Sequence, residues 1–131
     1  MKKFKTVFAA LCGAAILFGG VSCKKYEEGG RLGAADRKIV NSWTVEKAID
    51  LETGGDITAD FSGEIWEFTK DDIFVKNGEA KGTYSFTEDK LTLVILEYDG
   101  SSDSYRILKM KSNEMWLEDW GSEEIHFVSL N

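Results

Sequence analysis

From Ser42 to the end of the chain, short apolar runs alternate with turn residues, and inside each run the apolar side chains recur at every second position. That period belongs to strands with one buried face. Trp43, Val45 and Ile49 share a face of the first strand, which ends at Asp50. Residues 64–69 follow with Trp66 and Phe68 on one side and Glu67 on the other. Residues 73–76 and 79–86 are joined by Asn77 and Gly78, a pair that favours a two-residue hairpin because both positions tolerate positive φ. Gly82, Tyr84 and Phe86 then share a face, where the glycine gives room for strand bending or for close approach of a ring. The most apolar segment, residues 90–98, needs a partner on each edge. Residues 104–110, 114–118 and 124–130 complete a set of eight strands. After Asn41 no stretch has a helical period, and an even-numbered meander removes its exposed edges by closing on itself. The pattern therefore predicts an all-β fold, a small antiparallel up-and-down eight-stranded barrel.

What precedes the barrel reads differently. Lys2, Lys3 and Lys5 lead into an apolar run from Val7 to Phe18, then Gly19, Gly20, Val21 and Ser22, and then Cys23. Charge, apolar core and small residues in that order make a secretory signal, and the core is short of the roughly 20 residues a membrane span requires. A cysteine directly after the small residues resembles the lipobox of bacterial lipoproteins, with Gly20 standing where a leucine is preferred. The resemblance implies that Cys23 becomes the new N-terminus, acylated with palmitate-type chains. Each buried methylene contributes about 0.8 kcal/mol, so two or three chains hold a protein to a bilayer. Cys12 lies inside the apolar core behind Leu11 and is a poor rival. The expected organisation is a lipoprotein signal peptide at 1–22, a lipidated N-terminus and flexible glycine-bearing linker at 23–35, and the barrel domain at 36–131. Asp36 is expected to cap a short helical turn over residues 37–41, with Ile39 and Val40 tucked against one end of the fold. Glu27 and Glu28, close behind the lipidated cysteine, resemble a surface-export signal of some Gram-negative lipoproteins; a plain polar start to the linker reads equally well. The expected location is the outer membrane, on its periplasmic or cell-surface face.

Composition narrows the partners. The chain of 131 residues has a formal net charge of −7 and is more acidic still once the three signal-peptide lysines are removed, which disfavours nucleic acid, whose binding rests on Lys and Arg at phosphates. Proline is absent and the aromatic share is 12%, which suits strands. His126 should point outward between core-facing Ile125 and Phe127, and it has no companions for zinc or catalysis. The carboxylates at Asp71 and Asp72, Asp99 and Asp103, Glu118 and Asp119, and Glu123 and Glu124 read as solvated turn charges. The loop from Asp99 to Asp103 lacks the ligand density of a calcium loop. No nucleophile and base stand together; neither an enzyme nor a cofactor is expected.

The barrel segment is similar to the lipocalin-like domains of bacterial lipoproteins. The likeness rests on Asn41-Ser42-Trp43, on Phe68 before an acidic turn, on Gly82-Thr83-Tyr84-Ser85-Phe86, and on Asp89-Lys90-Leu91-Thr92-Leu93, and covers about residues 38 to 131. Asn41 stands where lipocalins usually carry glycine. The resemblance implies a closed barrel sealed at one end by Trp43 and binding a small hydrophobic molecule at the other.

An eight-stranded barrel either packs its interior solid or holds one small ligand. If Trp43, Val45, Trp66, Phe68, Phe74, Tyr84, Phe86, Leu93, Ile95, Tyr105, Ile107, Leu117, Ile125 and Phe127 all point inward, much of the volume is filled. The long connection over residues 50–63 argues for a mouth, with Ile57 and Phe61 folded over it. The candidate ligand-binding set is thus Trp43, Ile57, Phe61, Trp66, Phe68, Tyr84, Phe86 and Tyr105. The competing reading is a filled barrel that works as a surface interaction module, with Trp116 and Trp120 offering rings to a protein or glycan partner.

Overall fold

The structure, a computed structural model, describes residues 24–131. The expected signal peptide and Cys23 lie outside the described residues. Eight antiparallel strands close into a barrel in sequence order: β1 (Asn41–Asp50), β2 (Ile65–Phe68), β3 (Ile73–Lys76), β4 (Glu79–Phe86), β5 (Thr92–Glu97), β6 (Ser102–Met110), β7 (Glu114–Asp119) and β8 (Glu123–Ser129). Closure comes from β1 pairing with both β2 and β8. Asn77 and Gly78 take φ of 53° and 82°, the two positive values that the hairpin demands.

Because the strands run up and down, the molecule has two unlike ends. At one, the turns β2–β3, β4–β5 and β6–β7 meet the N-terminal segment; at the other, which we call the mouth, lie the β1–β2 connection and the turns β3–β4, β5–β6 and β7–β8.

The inward face is apolar, and Trp43, Phe68, Leu93, Ile95, Met110, Met115, Leu117, Ile125 and Phe127 are fully buried. Trp66 sits among Phe74, Tyr105 and Phe127 with centroid separations of 5.4, 6.0 and 4.9 Å. Phe68 packs on Phe74 and Tyr84. Edge-on and tilted rings of this kind fill space densely, so the body of the barrel is a packed core.

Three register shifts interrupt the ladder, one of them between Phe74 and Val75 where β3 meets β4. In β1 the register shifts between Val45 and Lys47, so the buried position after Val45 is Ala48, while Ile49, expected on the Trp43 face, turns the other way. An extra residue reverses which side chains face inward for the rest of the strand. In β6 the shift falls between Ile107 and Lys109, which lets Ile107 and Met110 both join the core.

The stretch expected to be a flexible linker is packed onto the barrel. Residues 24–31 form a small hairpin with a bridge between Lys25 and Arg31, docked beside β6 by hydrogen bonds from Glu28 N–H to the Leu108 carbonyl (2.7 Å) and from Met110 N–H to the Gly29 carbonyl (3.1 Å). Tyr26 is 4% exposed and its hydroxyl donates to the Lys90 carbonyl at 2.7 Å. The glycines that suggested flexibility serve close packing instead: a Cβ on Gly30 would lie 2.0 Å from the Met110 oxygen. A 3-10 turn (Leu32–Ala34) and α1 (Ala35–Lys38) then cross the barrel end. The helix starts earlier than expected, and Asn41 already belongs to β1. Asp36 lies in its first turn rather than at its cap, and pairs with Lys90 at 3.2 Å. Ile39 is fully buried beneath the core, whereas Val40 is exposed. Trp43 Nε1 donates to the Ile39 carbonyl at 3.0 Å, tying this plug to the first strand.

Candidate functional site

The eight residues expected to line a ligand site divide between the ends. Trp43, Phe68, Tyr84 and Phe86 occupy the plugged half. Trp43 is locked to Ile39, the Tyr84 hydroxyl donates to the Thr69 carbonyl at 2.6 Å, and burial, with Asp72 and Asp36 nearby, pushes its pKa up to about 12. These side chains build the floor and are not brought together with the mouth.

Ile57, Phe61, Trp66 and Tyr105 belong to the mouth side. The β1–β2 connection is ordered by its own polar groups: Thr58 Oγ1 donates to Asp56 at 2.6 Å and accepts the Ala48 N–H at 3.0 Å, and Ile57 N–H reaches the Ala48 carbonyl at 2.9 Å. These bonds fold a 3-10 turn (Thr58–Phe61) over the barrel, so that Ile57 and Phe61, half-buried, lean on the core. Trp66 is oriented by its indole N–H to Glu64 at 2.9 Å, and the same Glu64 holds Lys76 at 3.6 Å.

Around Tyr105 stands a group of carboxylates that turn composition alone did not reveal. Asp103 is two residues before Tyr105, Asp119 two after Leu117, and Glu123 two before Ile125, so strand parity points all three toward the barrel axis. Glu123 lies directly opposite both Asp119 and Asp50. Partial burial, then Asp119, Asp50 and Asp60, push the Glu123 carboxyl above its ordinary range. Burial raises the Tyr105 hydroxyl too, reinforced by Asp103, Asp119, Glu123 and Glu97. Reading each strand to its last inward position would have found this rim. Among the described residues no group of His, Cys, Asp or Glu is arranged to hold a metal.

On the outside, Trp116 stacks flat on His126, with centroids 3.7 Å apart and planes 2° from parallel. Lys109 Nζ lies 4.4 Å from the ring centre, and since Lys109 and His126 flank Trp116 on neighbouring strands, its faces are taken. His126 points outward as expected but is half-buried in this stack and contacts Glu124 at 2.6 Å. Trp120 differs: it is 58% exposed at a turn φ of 30°.

No protein-family model and no curated protein sequence matches the chain. Among solved structures it is similar to a lipocalin-like protein from Bacteroides uniformis ATCC 8492, at 12% sequence identity and a TM-score of 0.57, over 71% of this chain and 99% of that one. The chain thus has a lipocalin-like fold: a closed eight-stranded antiparallel barrel, plugged at one end by its own N-terminal segment.

Proposed function

We propose that the chain is a lipid-anchored extracytoplasmic lipoprotein of the outer membrane, held through an acylated Cys23, whose barrel binds a small hydrophobic ligand at the mouth. The observation that carries the ligand reading is the β1–β2 connection, which packs Ile57 and Phe61, half-buried, against the same core as Tyr105. The Ile57 N–H bond to the Ala48 carbonyl ties the connection to β1 and holds the apolar faces of Ile57 and Phe61 over the core, where a ligand can lie against them. The packed rings below limit it to a small molecule held against these two side chains. Native mass spectrometry of the mature protein from its own host tests this. A small molecule should travel with the parent protein and be lost from Phe61→Ala. A protein that flies only at its own mass, and that raises no signal from a hydrophobic dye, sinks the ligand reading.

A second reading has its own support. Leu51, Tyr98 and Trp120 are exposed at the mouth end, with Leu51 N–H bonded to the Ser122 carbonyl beside Trp120. A bulky residue at positive φ is held there at a cost in strain. This supports a filled barrel whose mouth rim meets a protein or glycan partner. Trp120→Ala would then abolish partner capture and leave any dye signal unchanged.

A further inference from the structure

Resting on the reading that Cys23 is acylated, we infer that the plugged end of the barrel is a bilayer-facing surface, which seats anionic lipid headgroups and points the mouth away from the membrane. A free linker over residues 23–35 would let the barrel move roughly 40 Å from its anchor. The chain leaves no such slack. Cys23 is adjacent to Lys24, and the Lys24 carbonyl already accepts the Leu32 N–H at 3.1 Å within the docked plug. Acyl chains on the neighbouring residue therefore enter the bilayer within one residue's reach, about 3.5 Å, of the folded surface. The anchor and the plugged end cannot separate unless the hairpin of residues 24–31 undocks.

Charge agrees with that placement. The mouth-end connections, residues 51–64, 77–78, 98–101 and 120–122, contain no Lys or Arg, the adjoining strand cations Lys76 and Lys81 are paired with Glu64 and Glu79, and the carboxylates around Tyr105 add to the acidity. The plugged end carries Lys24, Lys25, Arg31, Arg37, Lys38 and Lys111 among acidic residues in near balance. An anionic membrane surface attracts basic side chains within a Debye length and repels carboxylates, so the field opposes any pose that brings the mouth down. The plugged end also offers apolar contact through exposed Val40, Leu91 and Leu130.

A seat for the headgroup lies on the same face. A cleft of about 480 Å³ opens between α1, the β2–β3 turn and the end of β4, lined by Arg37, Lys70 and Lys90, by the carboxylates Asp36 and Asp72, and by apolar Val40 and Phe86. Lys90 at its edge is occupied by Asp36 and lies 5.4 Å from the Phe86 ring centre. Arg37 and Lys70 have no ion-pair partner among the described residues. Two available cations above an apolar wall suit a lipid phosphate with its glycerol and first methylenes.

The test uses the full-length lipidated protein in vesicles of phosphatidylglycerol and brominated phosphatidylcholine, with a fluorophore on Leu91→Cys at the plugged end or Glu52→Cys at the mouth. The Leu91 label should be quenched several-fold more than the Glu52 label. Arg37→Glu with Lys70→Glu should reduce that quenching while the protein stays on the vesicles. Equal quenching of both labels on a lipidated, vesicle-bound protein overturns the orientation alone; quenching unchanged by the double variant overturns the cleft as headgroup seat. A protein with no lipid mass at Cys23, which floats free of the vesicles, removes the anchor reading and the orientation with it.

Discussion

Gly30→Ala should detach the N-terminal hairpin from the barrel while leaving the barrel folded. Gly30 has a φ of 97°, a region open to glycine and costing other residues about 1–3 kcal/mol. A Cβ there would also sit 2.0 Å from the Met110 oxygen and 2.7 Å from its carbonyl carbon. Those are backbone atoms of a paired strand and cannot swing aside. The docked state has little to spare against such a penalty. Burying Tyr26 contributes about 1.5–3 kcal/mol, and the bonds from Glu28 N–H, Met110 N–H and the Tyr26 hydroxyl add about 1 kcal/mol each. Ordering each residue of the hairpin opposes this by about 1–2 kcal/mol. With the clash added to the lower part of that strain, about 2 kcal/mol corresponds to roughly 30-fold in the opening equilibrium. Hydrogen exchange read residue by residue is the assay. The amides of Glu28 and Met110 should exchange at least about 30-fold faster, while that of Tyr84, bonded to the Asp72 carbonyl at 3.0 Å, keeps its parental rate. If Glu28 and Met110 remain as slow as Tyr84 while the whole domain melts earlier, the hairpin is part of one cooperative unit and the reasoning fails.

Gly82→Ala places a Cβ 2.0 Å from the Leu96 oxygen and should cost about 1–3 kcal/mol, seen as a lower urea midpoint; an unchanged midpoint would show that β5 yields freely. Trp43→Phe removes the donor to the Ile39 carbonyl and should cost about 1–3 kcal/mol, with faster exchange at the Ile39 amide, which bonds the Ala35 carbonyl. Glu123→Gln should stabilise by about 0.5 kcal/mol near neutral pH, because Glu123 faces like charges across both neighbouring strands and solvent screens part of the repulsion. Its pKa is raised by folding from 4.5, so the folded state holds the proton more tightly and stability falls as pH rises through the window above 4.5. The gain of the variant must therefore vanish below that window; an equal gain at acid pH would mean that something other than charge was relieved.

The barrel was legible because period two survives along most of each strand, and because closure follows from an even meander with short links. What the sequence hid were departures from that period. The bulge after Val45 exchanges Ile49 for Ala48 in the core, and an alanine next to the larger Ile49 gives no apolar signal of its own. Residues 24–35 misled through composition: Gly29 and Gly30 fit a tether as well as a close approach, and only the position of Met110 decides between them. For the candidate site, Ile57, Phe61 and Tyr105 are half-buried against the core on the mouth side. Trp43, Phe68, Tyr84 and Phe86 do not join them, because alternation says which face a side chain takes but not how far along the barrel axis it lies.

That axial position is what makes the two ends chemically different. In three strands the inward series meets a carboxylate at the mouth, Leu117 to Asp119 in β7, Glu123 to Ile125 in β8 and Asp103 to Tyr105 in β6, whereas β3 ends on Lys76, opposite Trp66 and paired with Glu64. Inward charge costs little only where water still reaches it, so these carboxylates mark the depth at which the dry core ends. At the opposite end the same series terminate on Tyr26, Ile39 and Trp43, which exclude water altogether. A molecule binding this barrel must therefore meet the carboxylates and Tyr105 before it meets the packed rings. An apolar ligand bearing a basic group should outcompete an equally apolar acid, and displacement of a hydrophobic dye by matched alkyl amines and alkyl carboxylates measures the difference. Equal displacement by both would place the binding groove outside the mouth.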